Sequence, residues 1–144
     1  MEQKKLWAIV LTCVLLLTGL AGVFSCTLAA IKDPGGTAQP QYDNVRRIHA
    51  SLSISGKTAT CKGEVATYEN DDSISLTVKL FKKEGSGWGT VTSWSTSGRG
   101  SGLSLSKTQV VDAGTYRVKV TAKVTPKGGK TETVTRYSAQ CTVD

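Results

Sequence analysis

Few residues in this 144-residue chain are equipped for covalent chemistry. Its one histidine, His49, falls opposite in phase to Ile48 within an alternating run, which sets it on a solvent-facing side. Serines are abundant, yet none lies in a nucleophile elbow and none has a second histidine as its base. The four cysteines, Cys13, Cys26, Cys61 and Cys141, show no metal-ligand spacing among themselves or with His49. The run Glu69, Asn70, Asp71, Asp72 offers carboxylates to a calcium ion, with Asp112 the obvious further ligand. In a seven-stranded sandwich those two turns lie at opposite ends, and one acidic turn rarely fills six or more positions. It reads instead as a turn whose side chains bond their own backbone. The expectation is a chain that is not an enzyme and uses no cofactor or metal.

Binding chemistry is better represented. Trp88 and Trp94 are six residues apart, so an unbroken strand shows both on one side with Thr90 and Thr92 between them. Facing outward they make an aromatic strip on which sugar rings stack; facing inward they supply core bulk. Val91 has the opposite phase, so either one side exposes an apolar residue or the strand bulges. Lys79 and Lys83 share a phase, as do Arg117, Lys119 and Lys123, and with Arg136 they are expected to form one basic solvent face. Such a face attracts an anionic surface polymer, a glycan or an envelope protein. It equally keeps a sheet soluble and its edges unpaired. Nucleic acid is disfavoured, because no aromatic residues interleave with the basic ones for base stacking.

The elements that position these groups follow from the ends inward. Met1 to Lys5 is a short charged segment, and Leu6 to Phe24 is an almost unbroken apolar run followed by small residues up to Ala30. Residues 1–30 therefore read as a signal peptide. Two other readings remain open: a retained anchor, and a lipoprotein acylated at Cys26 in "VFSC". Membrane contact is then confined to the leader, and the chain is expected to be secreted or held at the cell envelope. Residues 31–44 are polar and rich in Pro and Gly, as a flexible linker is. Residues 45–144 are enough for one small core. The leader carries two lysines and one glutamate, so the remainder keeps about +6 of the chain's +7 net charge. Two cysteines remain in that exported part, and an even pair predicts a disulfide between Cys61 and Cys141. The loop it closes has about 80 residues, which by chain entropy stabilises by roughly 4 kcal/mol.

Period-two alternation runs almost throughout 45–144, with turn residues about every 8 to 12 positions and no helical spacing. Strands are expected at residues 45–55, 58–68, 73–83, 88–97, 103–110, 115–125 and 131–143. The segment 98–102, "GRGSG", is expected to be a flexible loop. Together with Glu69 to Asp72 and Pro126 to Lys130 it should crowd one end of the fold. Seven short strands, each with one apolar side, read as an all-β antiparallel sandwich.

The stretch "VVDAGTYRVKV", Val110 to Val120, resembles the D-x-G-x-Y-x-C strand of immunoglobulin-like domains. That resemblance implies a tyrosine corner made by Asp112, Gly114 and Tyr116, with Val118 where the family has its bridging cysteine. It also implies that Leu76 or Val78 fills the space of the family's buried tryptophan. In "SWSTSGRGSGLSLSK" and "GTYRVKVTAKV" the chain is similar to small exported sandwich proteins of Gram-positive bacteria, which implies no chemistry. The reading that results is a non-catalytic binding or adhesion module at the bacterial cell surface or beyond. Its alternatives are a secreted effector or inhibitor docking a protein, and a carbohydrate-binding module using Trp88 and Trp94.

Overall fold

The computed structural model describes residues 42–144 as two antiparallel sheets. The leader and the linker as far as residue 41 lie outside the described residues. The strands are β1 (Val45–Ser55), β2 (Thr58–Thr67), β3 (Asp72–Glu84), β4 (Gly87–Gly100), β5 (Gly102–Val110), β6 (Gly114–Thr125), β7 (Glu132–Tyr137) and β8 (Cys141–Val143). The smaller sheet runs β1-β2-β5. The larger runs β4-β3-β6-β7, with β8 continuing beside β6. Seven strands are thus present as expected, the last in two pieces.

Two hairpins set the registers. Ser55 pairs with Thr58 and Glu84 with Gly87, leaving two-residue turns. Gly56 and Gly85 open those turns at φ 57° in each case, a left-handed backbone that glycine adopts without a Cβ clash. Beyond each turn alternation takes over. Ile74, Leu76, Val78 and Leu80 of β3 and Val118, Val120, Ala122 and Val124 of β6 are buried in the interior between the sheets. Opposite them stand Leu52, Ile54, Ala59, Cys61 and Val65 of the smaller sheet. The sheets pack tightly at Gly63, where a Cβ would stand 2.8 Å from Val78 Cγ2 and 2.9 Å from Val120 Cγ2. Glycine there lets the two sheets meet without displacing the valines.

Three local features differ from the sequence expectations. The 98–102 segment is not a free loop: β4 continues to Gly100, and Ser101 alone carries the chain across to β5 in the other sheet. Gly100 takes φ 146°, Thr67 N–H donates to the Ser101 carbonyl at 2.9 Å, and a Cβ on Gly102 would stand 2.9 Å from the Val65 carbonyl oxygen. The glycines serve a tight crossover rather than slack. The end of the linker is also fixed, because the Asp43 and Asn44 N–H groups donate to the Glu132 carboxylate at 3.1 and 2.8 Å.

The third difference concerns the staple. Cys61 is a free thiol with no exposed surface, so the expected Cys61–Cys141 bond is not formed. Both residues do point inward from opposite sheets. Cys141, however, sits over β1, its Sγ 3.5 Å from the Leu52 carbonyl oxygen, whereas Cys61 is on the neighbouring β2. Burial in apolar surroundings raises the Cys61 thiol from its ordinary 9.0 to about 11.

Candidate functional site: the outer face of the larger sheet

Outside the core, the larger sheet shows a continuous face whose rows follow from strand register. Lys79 stands directly opposite Lys119, Phe81 opposite Arg117, Thr77 opposite Thr121, and Ser75 opposite Lys123. On β4, Ser95 aligns with Thr77 and Ser93 with Lys79; on β7, Thr135 aligns with Thr121 and Tyr137 with Lys119. The row Ser95–Thr77–Thr121–Thr135 is a line of hydroxyls crossing four strands. Its members hydrogen-bond in pairs, Thr77 with Ser95 at 2.9 Å and Thr121 with Thr135 at 3.3 Å. The next row, Ser93–Lys79–Lys119–Tyr137, carries the charge.

Arg117 is the centre of this face. Its Cζ lies 4.0 Å from the centroid of the Trp88 ring and 4.6 Å from that of Tyr137. One ring comes from β4 and the other from β7, on either side of β6, and Lys119 Nζ also lies 5.8 Å from the Tyr137 centroid. The ring quadrupoles attract the guanidinium, at about 0.5–2 kcal/mol per contact depending on exposure. Arg117 Nε is buried without a hydrogen-bond partner. Among the described residues the ion pairs are Lys62–Glu64 at 2.7 Å and Arg99–Asp71 at 3.5 Å, so no carboxylate neutralises Lys79, Lys83, Arg117, Lys119 or Lys123. Like charges directly opposite on adjacent strands repel. The Lys79–Lys119 pair is therefore a local cost with no acidic compensation.

Two expected members lie elsewhere, each for a one-residue reason. Leu80 pairs with Thr92 and Phe81 with Thr90, so Val91 is an extra residue bulged out of β4. The bulge reverses the phase. Trp88 is opposite Lys83 on the outer side, while Trp94 is opposite Val78 and packs against the core. The two tryptophans do not share a face, which removes the paired sugar platform. Similarly, Tyr137 pairs with Lys119 and Cys141 with Tyr116, so four steps along the last strand span three along β6. Buried Ser138 fills the jog: its N–H donates to the Val118 carbonyl at 2.9 Å and its hydroxyl accepts from Val118 N–H at 2.8 Å. Arg136, opposite inward-facing Val120, is consequently on the inner side, half-buried, and not part of the basic face. Tyr137 takes the outer place. No phase count on β7 in isolation relates Tyr137 to Arg117, although an aromatic in phase with Thr135 and Thr133 was a usable signal.

The other sequence candidates have simpler settings. His49 is exposed and opposite Glu64 on the outer side of the smaller sheet. Beside it a shallow hollow of about 260 Å³ is lined by Arg47, Glu64, Gly102, Leu103 and Ser104. The Lys62 hydrogen bond and charge hold the Glu64 carboxyl below its ordinary range. Tyr116 is buried, and its hydroxyl donates to the Asp112 carbonyl at 2.9 Å, closing the turn into β6. Among the described residues no three His, Cys, Asp or Glu side chains converge to hold a metal.

No family model matches the chain, and no curated protein does. Among solved structures it is similar to the solution structure of CsgH from R. palustris, at 11% identity and TM-score 0.38 over 67% of this chain and 90% of that one. It is also similar to catalytically inactive OgpA from Akkermansia muciniphila in complex with an O-glycopeptide, at 11% identity and TM-score 0.37, over 67% of this chain and 29% of that one. A third is Spo0M, a sporulation control protein from Bacillus subtilis, at 12% identity and TM-score 0.30 over 65% and 48%. Similarity at this level transfers no site and no activity.

Proposed function

We propose that the chain is an exported, non-catalytic binding module of immunoglobulin-like build that holds an anionic polymer on the outer face of its larger sheet. The export reading is supported by the leader pattern in residues 1–30. The immunoglobulin-like reading is supported by strand order, β1-β2-β5 facing β4-β3-β6-β7, and by the Tyr116–Asp112 bond at the entry to β6. The binding reading is carried by one observation: Arg117 is held by two aromatic rings with no carboxylate partner, beside the directly opposed lysines 79 and 119.

Physics connects that observation to an anion. Stacking uses the faces of the guanidinium and leaves its in-plane N–H groups free to fork onto a sulfate, phosphate or carboxylate. Holding the side chain in place lowers the ordering cost of binding. An anion bridging Lys79 and Lys119 converts their repulsion into attraction. A repeating polyanion reaches several of these cations at once, and the flat hydroxyl row beside them accommodates its uncharged groups. A neutral-sugar platform lacks support, since Trp88 is engaged by Arg117 and Trp94 faces inward.

The test is titration with a sulfated polysaccharide, a polyuronate, a polyphosphate and an uncharged polysaccharide at two ionic strengths. Binding should be confined to the charged polymers and weaken with salt. Arg117→Lys, which keeps charge but loses the fork, should weaken it about ten-fold, as should Lys79→Glu. Equal binding of the neutral polymer, or indifference to both substitutions, defeats the proposal.

A further inference from the structure

The outer face is not the only surface left without a partner. Among the described residues β4 pairs only with β3 and ends the larger sheet, so its other side is an unpaired strand edge there. Natural sheets protect such edges with charge, proline, shortness or bulges. The other edges of this fold do so. β1 carries Arg46, Arg47 and His49 and a register shift between Val45 and Arg47. β5 carries Lys107, and β7 has six residues before the jog at Ser138. β4 is 14 residues long and has neither a charged residue nor a proline from Gly87 to Gly98. Its bulge at Val91 lies in the first half and leaves Thr92 to Gly100 in uninterrupted register.

We infer that this edge pairs with β4 of a second copy of the chain, antiparallel, about a two-fold axis through Thr96. Thr96 is the midpoint of the regular stretch, so this alignment uses every residue of it. It sets Trp94 against Gly98 of the second copy, and Gly98 against the second copy's Trp94, on the inner side. A half-buried indole at a sheet edge thus meets a glycine rather than a second side chain. On the outer side Ser95 meets Ser97 and Ser93 meets Arg99, with no like charges opposed. Centring the axis on Ser95 would instead set Trp94 against Thr96 and leave the end of the stretch unpaired. A two-fold edge contact is closed, so association stops at a dimer. The axis is perpendicular to the sheet, so both outer faces look the same way. Two Arg117-centred faces then become coplanar, although the pairing itself rests on the edge alone.

Sedimentation equilibrium of the full chain, from micromolar to about millimolar, should give monomer and dimer with a dissociation constant of about 1 mM or tighter. Ser95→Lys combined with Ser97→Lys puts like charges on facing positions twice and should weaken the dimer at least about ten-fold. Ser95→Lys combined with Ser97→Glu puts opposite charges on those same positions and should restore it to within about three-fold of the parent. Hydrogen exchange of the unsubstituted chain provides a check free of folding effects: edge-facing amides within Thr92–Gly100 should gain protection as concentration rises. A monomer throughout the range, growth beyond the dimer, or equal weakening by the two double substitutions each overturns the proposal.

Discussion

Deprotonating Cys61 should loosen this fold by an amount that the structure lets us work out. The thiol has no exposed surface, and burial raises it from 9.0 to about 11. The folded state therefore holds that proton roughly a hundred-fold more tightly than the unfolded chain does. Below the ordinary thiol range both states are protonated and stability is unaffected. As pH rises through 9 the unfolded state releases its proton first, so stability falls until the folded thiol also ionises. The loss is about 1 kcal/mol at pH 10, about 2 at pH 11, and about 3 in the limit, where two pH units at 1.36 kcal/mol each have been spent. Surface groups also change charge in this alkaline range. Cys61→Ala separates them: it lowers stability at every pH through a small cavity but removes the thiol's share of the slope. Urea unfolding followed by tryptophan fluorescence from pH 8 to 11 measures both chains. Their stabilities should converge by about 2 kcal/mol at the alkaline end. Parallel curves would refute a buried, free, titrating thiol at position 61.

Three more expectations come from packing and bonding. Tyr116→Phe removes the hydroxyl that donates to the Asp112 carbonyl at 2.9 Å and should cost about 1–2 kcal/mol in urea unfolding, with the strand signature in far-ultraviolet dichroism unchanged. Gly63→Ala forces a methyl to within 3 Å of Val78 and Val120, so it should cost about 1–3 kcal/mol although alanine is ordinarily the better strand residue. Trp94→Ala should cost about 2–4 kcal/mol because the indole packs on the core, whereas Trp88→Ala should change stability by about 1–2 and chiefly weaken polyanion binding. Similar behaviour of the two tryptophan variants would contradict the phase reversal at Val91.

The candidate face was half visible in advance. Lys79, Arg117, Lys119 and Lys123 fall on it because each lies an even number of residues from its companions on β3 or β6, and neither strand is interrupted between them. Arg136 was placed wrongly because of the Ser138 jog, which alternation on one strand does not register. The phase conflict at Val91 did offer a bulge, and the structure takes that alternative and sends Trp94 inward. Tyr137 belongs to the face only because the Ser138 jog lets Cys141 and Val143 turn inward while Tyr137 stays outward. The crosslink expected from cysteine count depended on lateral position, and β8 lies over β1 rather than β2.

Local chemistry settled what depends on neighbours in the chain. Alternation delimited most strands within a residue or two, missing the last three residues of β4 and the break between β7 and β8. Glycines fixed the hairpins, and the aspartate, glycine and tyrosine at 112, 114 and 116 marked the turn into β6. Side-chain direction is different in kind. It has period two along a strand, so one unpaired residue inverts everything beyond it, and only the partner strand reveals which residue is unpaired. Val91 and Ser138 are those residues here, and the contacts that β3 and β6 impose on them decide which aromatics reach Arg117.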